Sequence, residues 1–250
     1  MNSEPRFTIE PSPKRIRAIV GKETIADSIA TMLLVEGYSP VYYFPNEDVR
    51  TDLLRPAAKH SNDPGRGDAA WWSIAIGGDV RENCAWSYPD PEQGATTIAR
   101  RLAFEWDKID QWFEEDEEIF GHPRDPHHRV DVRPSGRLVT VAFAGETIAS
   151  TRRGLFLFET GLPPRYYIPP QDVRIDRLAA SPTTSICPYK GTASYWHLRA
   201  GALGAEDAVW SYLDPLPECP RIKGYFCFYP EKVDRLEIEP PTSLAPAAAT

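Results

Sequence analysis

From Ile16 to Ser28 the chain reads I-R-A-I-V-G-K-E-T-I-A-D-S, apolar and polar residues alternating on either side of Gly21-Lys22. A period of two sends successive side chains to opposite faces of a strand, so this stretch predicts a hairpin with one buried face. Met32 to Glu36 predicts a more buried strand, and Val41 to Phe44 a short one ended by Pro45. Asn46 to Arg50 reads as a turn or a single helical turn, and Thr51 to Gly67 as a long polar connection, of a length that is often functional in compact domains. Trp71 to Ile76 and Arg81 to Tyr88 flank Gly77-Gly78 and predict a second hairpin, glycine supplying the positive φ of a tight turn. Residues 1 to 13 carry no apolar period and are expected to be loose.

The pattern then recurs. Shifted by 124, residues 42–110 align with 166–234 without a gap, and 24 of the 69 positions are identical, where average composition gives roughly 4 by chance. The matches include Y-Y-x-P, D-V-R and W-S-Y-x-D-P. Upstream, E-T-I-A and the pair Glu36/Glu159 match at a shift of 123, which places one inserted residue near Gly161. Repetition of this kind means two copies of one domain, predicted here over 14–111 and 134–238. Between them, 112–133 is acidic and then rich in His, Pro and Arg. Its Trp112, Phe113, Ile119 and Phe120 are too apolar for a free linker, so an ordered bridge is expected, with Trp112 and Phe120 buried between the copies. Residues 239–250 are expected to form a disordered tail.

Composition sharpens this picture. The chain has 250 residues, enough for two domains with cores of their own. It is 42% hydrophobic and 11% aromatic, more than a disordered chain carries, and its 25 prolines favour many short elements, hence a β-rich protein. A net charge of -8 offers no positive field for phosphate backbones, so nucleic acid is not an expected partner. No apolar run approaches a membrane span, and the first residues lack the apolar core of a signal peptide, so a cytoplasmic location is expected. Cys84, Cys187, Cys219 and Cys227 have no C-x-x-C spacing and read as reduced thiols; neither they nor His122, Asp125, His127 and His128 match a metal motif, so no metal and no cofactor is expected.

The ordered set E-T-G-L-P-P-R-Y-Y-I-P-P-x-D-V-R, C-P-Y-K-G-T-A-S-Y-W, W-S-Y-x-D-P and G-Y-F-C-F-Y resembles the domain-of-unknown-function family 427, and the W-F-E-E-D-E-E bridge is similar to that of its tandem members. The resemblance spans about residues 16–238. It implies two small, mostly antiparallel β folds of the Mss4-like β-tent type, here without zinc-binding cysteines. The family also carries a nucleotidyltransferase label, but the chain has no G-x-x-x-x-G-K-[ST] loop and no acidic pair spaced for two-metal chemistry.

Candidate chemistry concentrates in the second copy. Thr184 to Gly191 sets Cys187 three residues from Lys190, whereas the first copy has Asp63 and Arg66 there, and Ile29-Ala30 stand where the second has Arg152-Arg153. A thiolate is favoured by nearby cations, so Cys187 is a candidate nucleophile tuned by a partly exposed Lys190. Glu159 and His197 are candidate proton carriers. Arg152 and Arg153 are candidates to hold an anion, and Tyr166, Tyr189, Trp196, Trp210 and Tyr212 to line a cleft. Two readings stay open: an enzyme acting on a small anionic metabolite, and a non-catalytic binding or scaffold protein in which these residues pack and cap.

Overall fold

The computed structural model describes residues 7–240. They form two compact units that meet in sequence at Asp125/Pro126, both mostly antiparallel β.

In the first unit the strands are β1 (Thr8–Pro11), β2 (Ile16–Val20), β3 (Glu23–Ser28), β4 (Met32–Val35), β5 (Val41–Pro45), β6 (Leu54–Asp63), β7 (Gly67–Ile76), β8 (Asp79–Ser87), β9 (Arg101–Phe104), β10 (Gln111–Glu114) and β11 (Glu117–Ile119). A long sheet runs β1-β4-β5-β9-β8-β7-β6, and a smaller one β11-β10-β2-β3. The second unit has β12 (Val130–Ser135), β13 (Val139–Phe143), β14 (Glu146–Thr151), β15 (Gly154–Glu159), β16 (Arg165–Tyr167), β17 (Leu178–Cys187), β18 (Gly191–Ala200), β19 (Leu203–Tyr212), β20 (Cys227–Phe228) and β21 (Arg235–Ile238). Its order is the same. The segments β12-β15-β16 and β17-β18-β19-β20 are joined by the bridge Ile168–Phe226, the counterpart of Phe44–Leu102 between β5 and β9. Likewise β14-β13-β21 repeats β3-β2-β10.

The long sheet is buried on both faces, which explains why its central strands are apolar at nearly every position. Tyr42 and Phe44 point to a core shared with Ile16, Ala18 and Trp112, while Tyr43 between them points to a second pool with Phe7, Trp71 and Tyr88. In the second unit one pool gathers Val139, Val141, Phe156, Leu198 and Phe226, and the other Leu157, Tyr167, Trp210 and Tyr212. The W-S-Y alternation thus aims Trp and Tyr into one pool, as a period of two requires.

Several boundaries differ from those the sequence suggests. Residues 54–63 are not a connection but the terminal strand β6, as 178–187 are β17. Each is exposed along most of its length, so no hydrophobic period marks it. Thr8–Pro11, expected to be loose, pairs with β4; residues 1–6 and 241–250 lie outside the described part. The bridge begins as strand: Gln111–Glu114 pairs with β2 and with β11. Trp112 is buried within its own unit, stacked on Trp106 at 4.8 Å. Phe120, expected to be buried, is 53% exposed.

Candidate functional site

The turn Cys187-Pro188-Tyr189-Lys190 closes the β17–β18 hairpin. The Lys190 amide donates to the Cys187 carbonyl at 3.2 Å, and Gly191 follows at φ +100, where a side chain would be strained and would press on Asp214 and Leu216. The first unit builds the same turn, with Arg66 donating to Asp63 at 2.9 Å and Gly67 at φ +99. What the loop fixes is therefore the place of its cation.

That cation turns inward. Lys190 Nζ donates to both Glu159 oxygens at 2.6 Å, and the two side chains are only 9% and 7% exposed. Glu159 sits at the end of β15 and also accepts from His128 Nε2 at 3.0 Å; the His128 ring stacks on Tyr189 at 4.2 Å. Removing both charges from water is costly, and close, doubly bonded geometry is what offsets the cost. Lys190, expected to be partly exposed, is instead buried, with its ammonium held by Glu159.

Above the pair lies a cavity of about 130 Å³, lined by Leu157, Arg165, Tyr167, Tyr195, Trp210, Tyr212 and Tyr229 together with Glu159 and Lys190. The Arg165 guanidinium lies 5.5 Å from the Trp210 ring and 5.8 Å from Tyr229. Trp210 Nε1 donates to the Tyr167 hydroxyl at 3.3 Å, and the Tyr195 hydroxyl is 2.8 Å from Ser185 Oγ. Burial pushes the Tyr167, Tyr212 and Tyr229 hydroxyls well above the ordinary phenol range, so they remain neutral donors at any physiological pH. The floor is thus ionic and the walls aromatic, with hydroxyls at their edges.

The first unit retains the pair but not the cavity surroundings. Arg66 donates to Glu36 at 2.5 Å, with Glu36 42% exposed. Trp71 replaces Tyr195, bonded to Ser61 Oγ at 3.1 Å and covered by Lys59 at 3.2 Å. Phe7 packs below Arg66, and Asp63, in the place of Cys187, accepts from the Tyr88 hydroxyl at 2.9 Å. Val41 and Glu105 stand where Arg165 and Tyr229 stand in the second unit.

The DUF427 family model, a domain of unknown function, matches residues 8–115 and again 131–239. The chain is a tandem DUF427 protein. A search of curated proteins finds no match. The two matched spans coincide with the repeated strand orders, so the family match and the repeat describe the same unit twice. Among the described residues, no helix is long and apolar enough to cross a membrane.

Of the residues singled out from sequence, this DUF427 protein brings Glu159, Lys190, Trp210 and Tyr212 together, with Tyr189 behind His128 and Cys187 half-buried beside the same pool. The others lie elsewhere. Arg152 pairs with Glu239 and Arg153 with Asp172, each at 2.6 Å, so neither is at the cavity. Tyr166 packs edge-on against Phe156 and Trp196 against Phe226, both in the opposite core. His197 Nδ1 lies 2.6 Å from Glu206 and accepts from the Asp207 amide. Each fits a structural role. Arg165 and Tyr229 were not anticipated, and His128 was considered only as a metal ligand. For Arg165 and Tyr229 the signal was available, since the first copy has Val41 and Glu105 at those positions.

Proposed function

We propose that the second repeat is a small-molecule site with acid–base character, and that the first repeat is its structural partner. The observation that carries this reading is the near-fully buried Glu159–Lys190 pair at the floor of a tyrosine-lined cavity. A ligand there meets two cations, Lys190 and Arg165, which suits a small anion; Glu159, held by His128, is the group positioned to move a proton. At about 130 Å³ the cavity is well below the size of drug-like pockets, which favours a metabolite of a few heavy atoms over a nucleoside triphosphate. The role falls on Glu159 rather than on Cys187, because Lys190 is committed to the carboxylate.

A second reading is favoured by one fact: the Glu36–Arg66 pair persists in the filled repeat. It makes the pair a fold element and the protein a non-catalytic binding module. Titration of small carboxylates and inorganic phosphate, followed by ligand-observed NMR in D₂O, separates the two. Saturable binding with exchange of the bound ligand's α-protons supports the acid–base reading. Binding without exchange supports the binding module. Tyr195→Trp, which copies Trp71, should abolish binding while leaving the melting temperature unchanged. Absence of any saturable binding defeats both readings.

A further inference from the structure

The first repeat, though filled at the Glu–Arg pair, is open on its other face. A cavity of about 490 Å³ lies there, within the range of organic-ligand pockets. Its walls are apolar and flat where Trp72, Leu54, Leu102 and Pro56 meet, and polar at the rim, where Asn46 and Arg100 stand. In the second repeat the position of Leu102 is Phe226, whose ring stands edge-on to Trp196 at 5.1 Å. Leu102, lacking that ring, leaves the face of Trp72 to the cavity.

Arg100 is the more informative residue. Its φ is +57, in the left-handed region, and its counterpart in the second repeat is Gly224 at φ +71. A left-handed turn costs a glycine little and an arginine appreciably, so the first repeat carries the strain of a long cation where the fold asks for none. Among the described residues no carboxylate pairs with that guanidinium, which is exposed at the cavity rim. A guanidinium without a carboxylate partner, on a residue that lines the same cavity as an indole, is complementary to an anion with a flat apolar body.

We propose that the first repeat carries a second ligand site, separate from the Glu159 cavity, which takes a small organic carboxylate with a planar hydrocarbon body. The ring lies against Trp72 and Leu102, and the carboxylate accepts from Arg100. The site lies in the copy whose other cavity is filled, with Arg100 in the place of Gly224 and Leu102 in the place of Phe226, on β9 and the turn before it.

The test uses the full chain and 2-naphthoate as probe, with 2-naphthamide as its neutral twin, read by isothermal titration calorimetry. Saturable binding with Kd in the roughly millimolar range of a fragment is expected for the acid. The amide and the Arg100→Gly variant should each weaken it at least about tenfold, the measure of a charge-assisted hydrogen bond. Arg100→Gly also relieves the left-handed strain, so its melting temperature should rise by a few degrees; loss of binding then has no origin in misfolding. Leu102→Phe, which copies Phe226, should block the site, whereas Tyr195→Trp at the other cavity should leave naphthoate binding as it is. No saturable binding of naphthoate, equal binding of the amide, or binding unaltered in Arg100→Gly or in Leu102→Phe would each overturn the proposal.

Discussion

Replacing Lys190 by methionine removes one charge of a buried pair and leaves the other. Glu159, 7% exposed and held at 2.6 Å on both oxygens, would keep only the His128 hydrogen bond. Breaking a buried pair from one side costs about 3–5 kcal/mol, and the remaining histidine argues for the lower end, about 3 kcal/mol. For a unit of this size that corresponds to a fall in melting temperature of roughly 10 °C, to be measured by scanning calorimetry on the transition of the second unit. Lys190→Arg imitates Arg66 of the first unit and should lose less than half as much. Lys190→Met combined with Glu159→Leu removes both charges and should recover most of the loss, since apolar replacement of a whole buried pair is often neutral. A loss under about 1 kcal/mol in the single variant, or a double variant no better than the single, refutes the claim that the pair is a closed, mutually dependent unit.

Two further outcomes follow from the same geometry. Iodoacetamide at neutral pH should mark Cys187 before the other thiols, by peptide mass mapping: burial pushes Cys219 up to about 11 and Cys227 up to about 12 and raises Cys84, while Cys187 alone of the four is not fully buried; equal labelling of all four would contradict it. Asp172 is held below the usual carboxylate range by Arg153 and by the Thr151 hydroxyl, so it contributes stability above its unfolded pKa that is lost as pH falls through its lower folded value. Asp172→Asn should therefore destabilise the protein at pH 7 by more than it does in acid, and a loss of equal size across the acid range would refute the link.

Strands buried on one or both faces were legible because hydrophobic period reports burial: β2, β3 and the β7–β8 hairpin lie where alternation and Gly77-Gly78 place them. The terminal strands β6 and β17 were not, since a strand exposed on both faces has no period to display. The acidic run after Trp112 concealed β10 for a different reason. Its Glu114 faces inward, where it accepts from the Tyr42 hydroxyl at 2.6 Å and from Lys14, so a buried carboxylate stood where an apolar residue was sought. At the site, Glu159 and Lys190 were each noticed but not as partners. They lie 31 residues apart on different hairpins and meet only in the folded unit. Residue by residue, the two copies differ at Arg165 and Tyr229 as well as in the Cys187–Lys190 loop, where the first has Val41 and Glu105.

The terminal strands β6 and β17 bear on edge-to-edge pairing between chains. Each has ten residues and one row of backbone groups without a partner strand in its sheet, a template on which a second chain can grow. Yet each is broken near its middle: the register shifts between Pro56 and His60 in one and between Ala180 and Thr184 in the other, the latter interval holding Pro182. The break leaves paired runs of three and four residues, Leu54–Pro56 with His60–Asp63 and Leu178–Ala180 with Thr184–Cys187. Such runs are shorter than the roughly six-residue segments from which cross-β stacks nucleate. Exposure hid these strands from a period-of-two reading, and the register break shortens the straight runs on which a copy could pair.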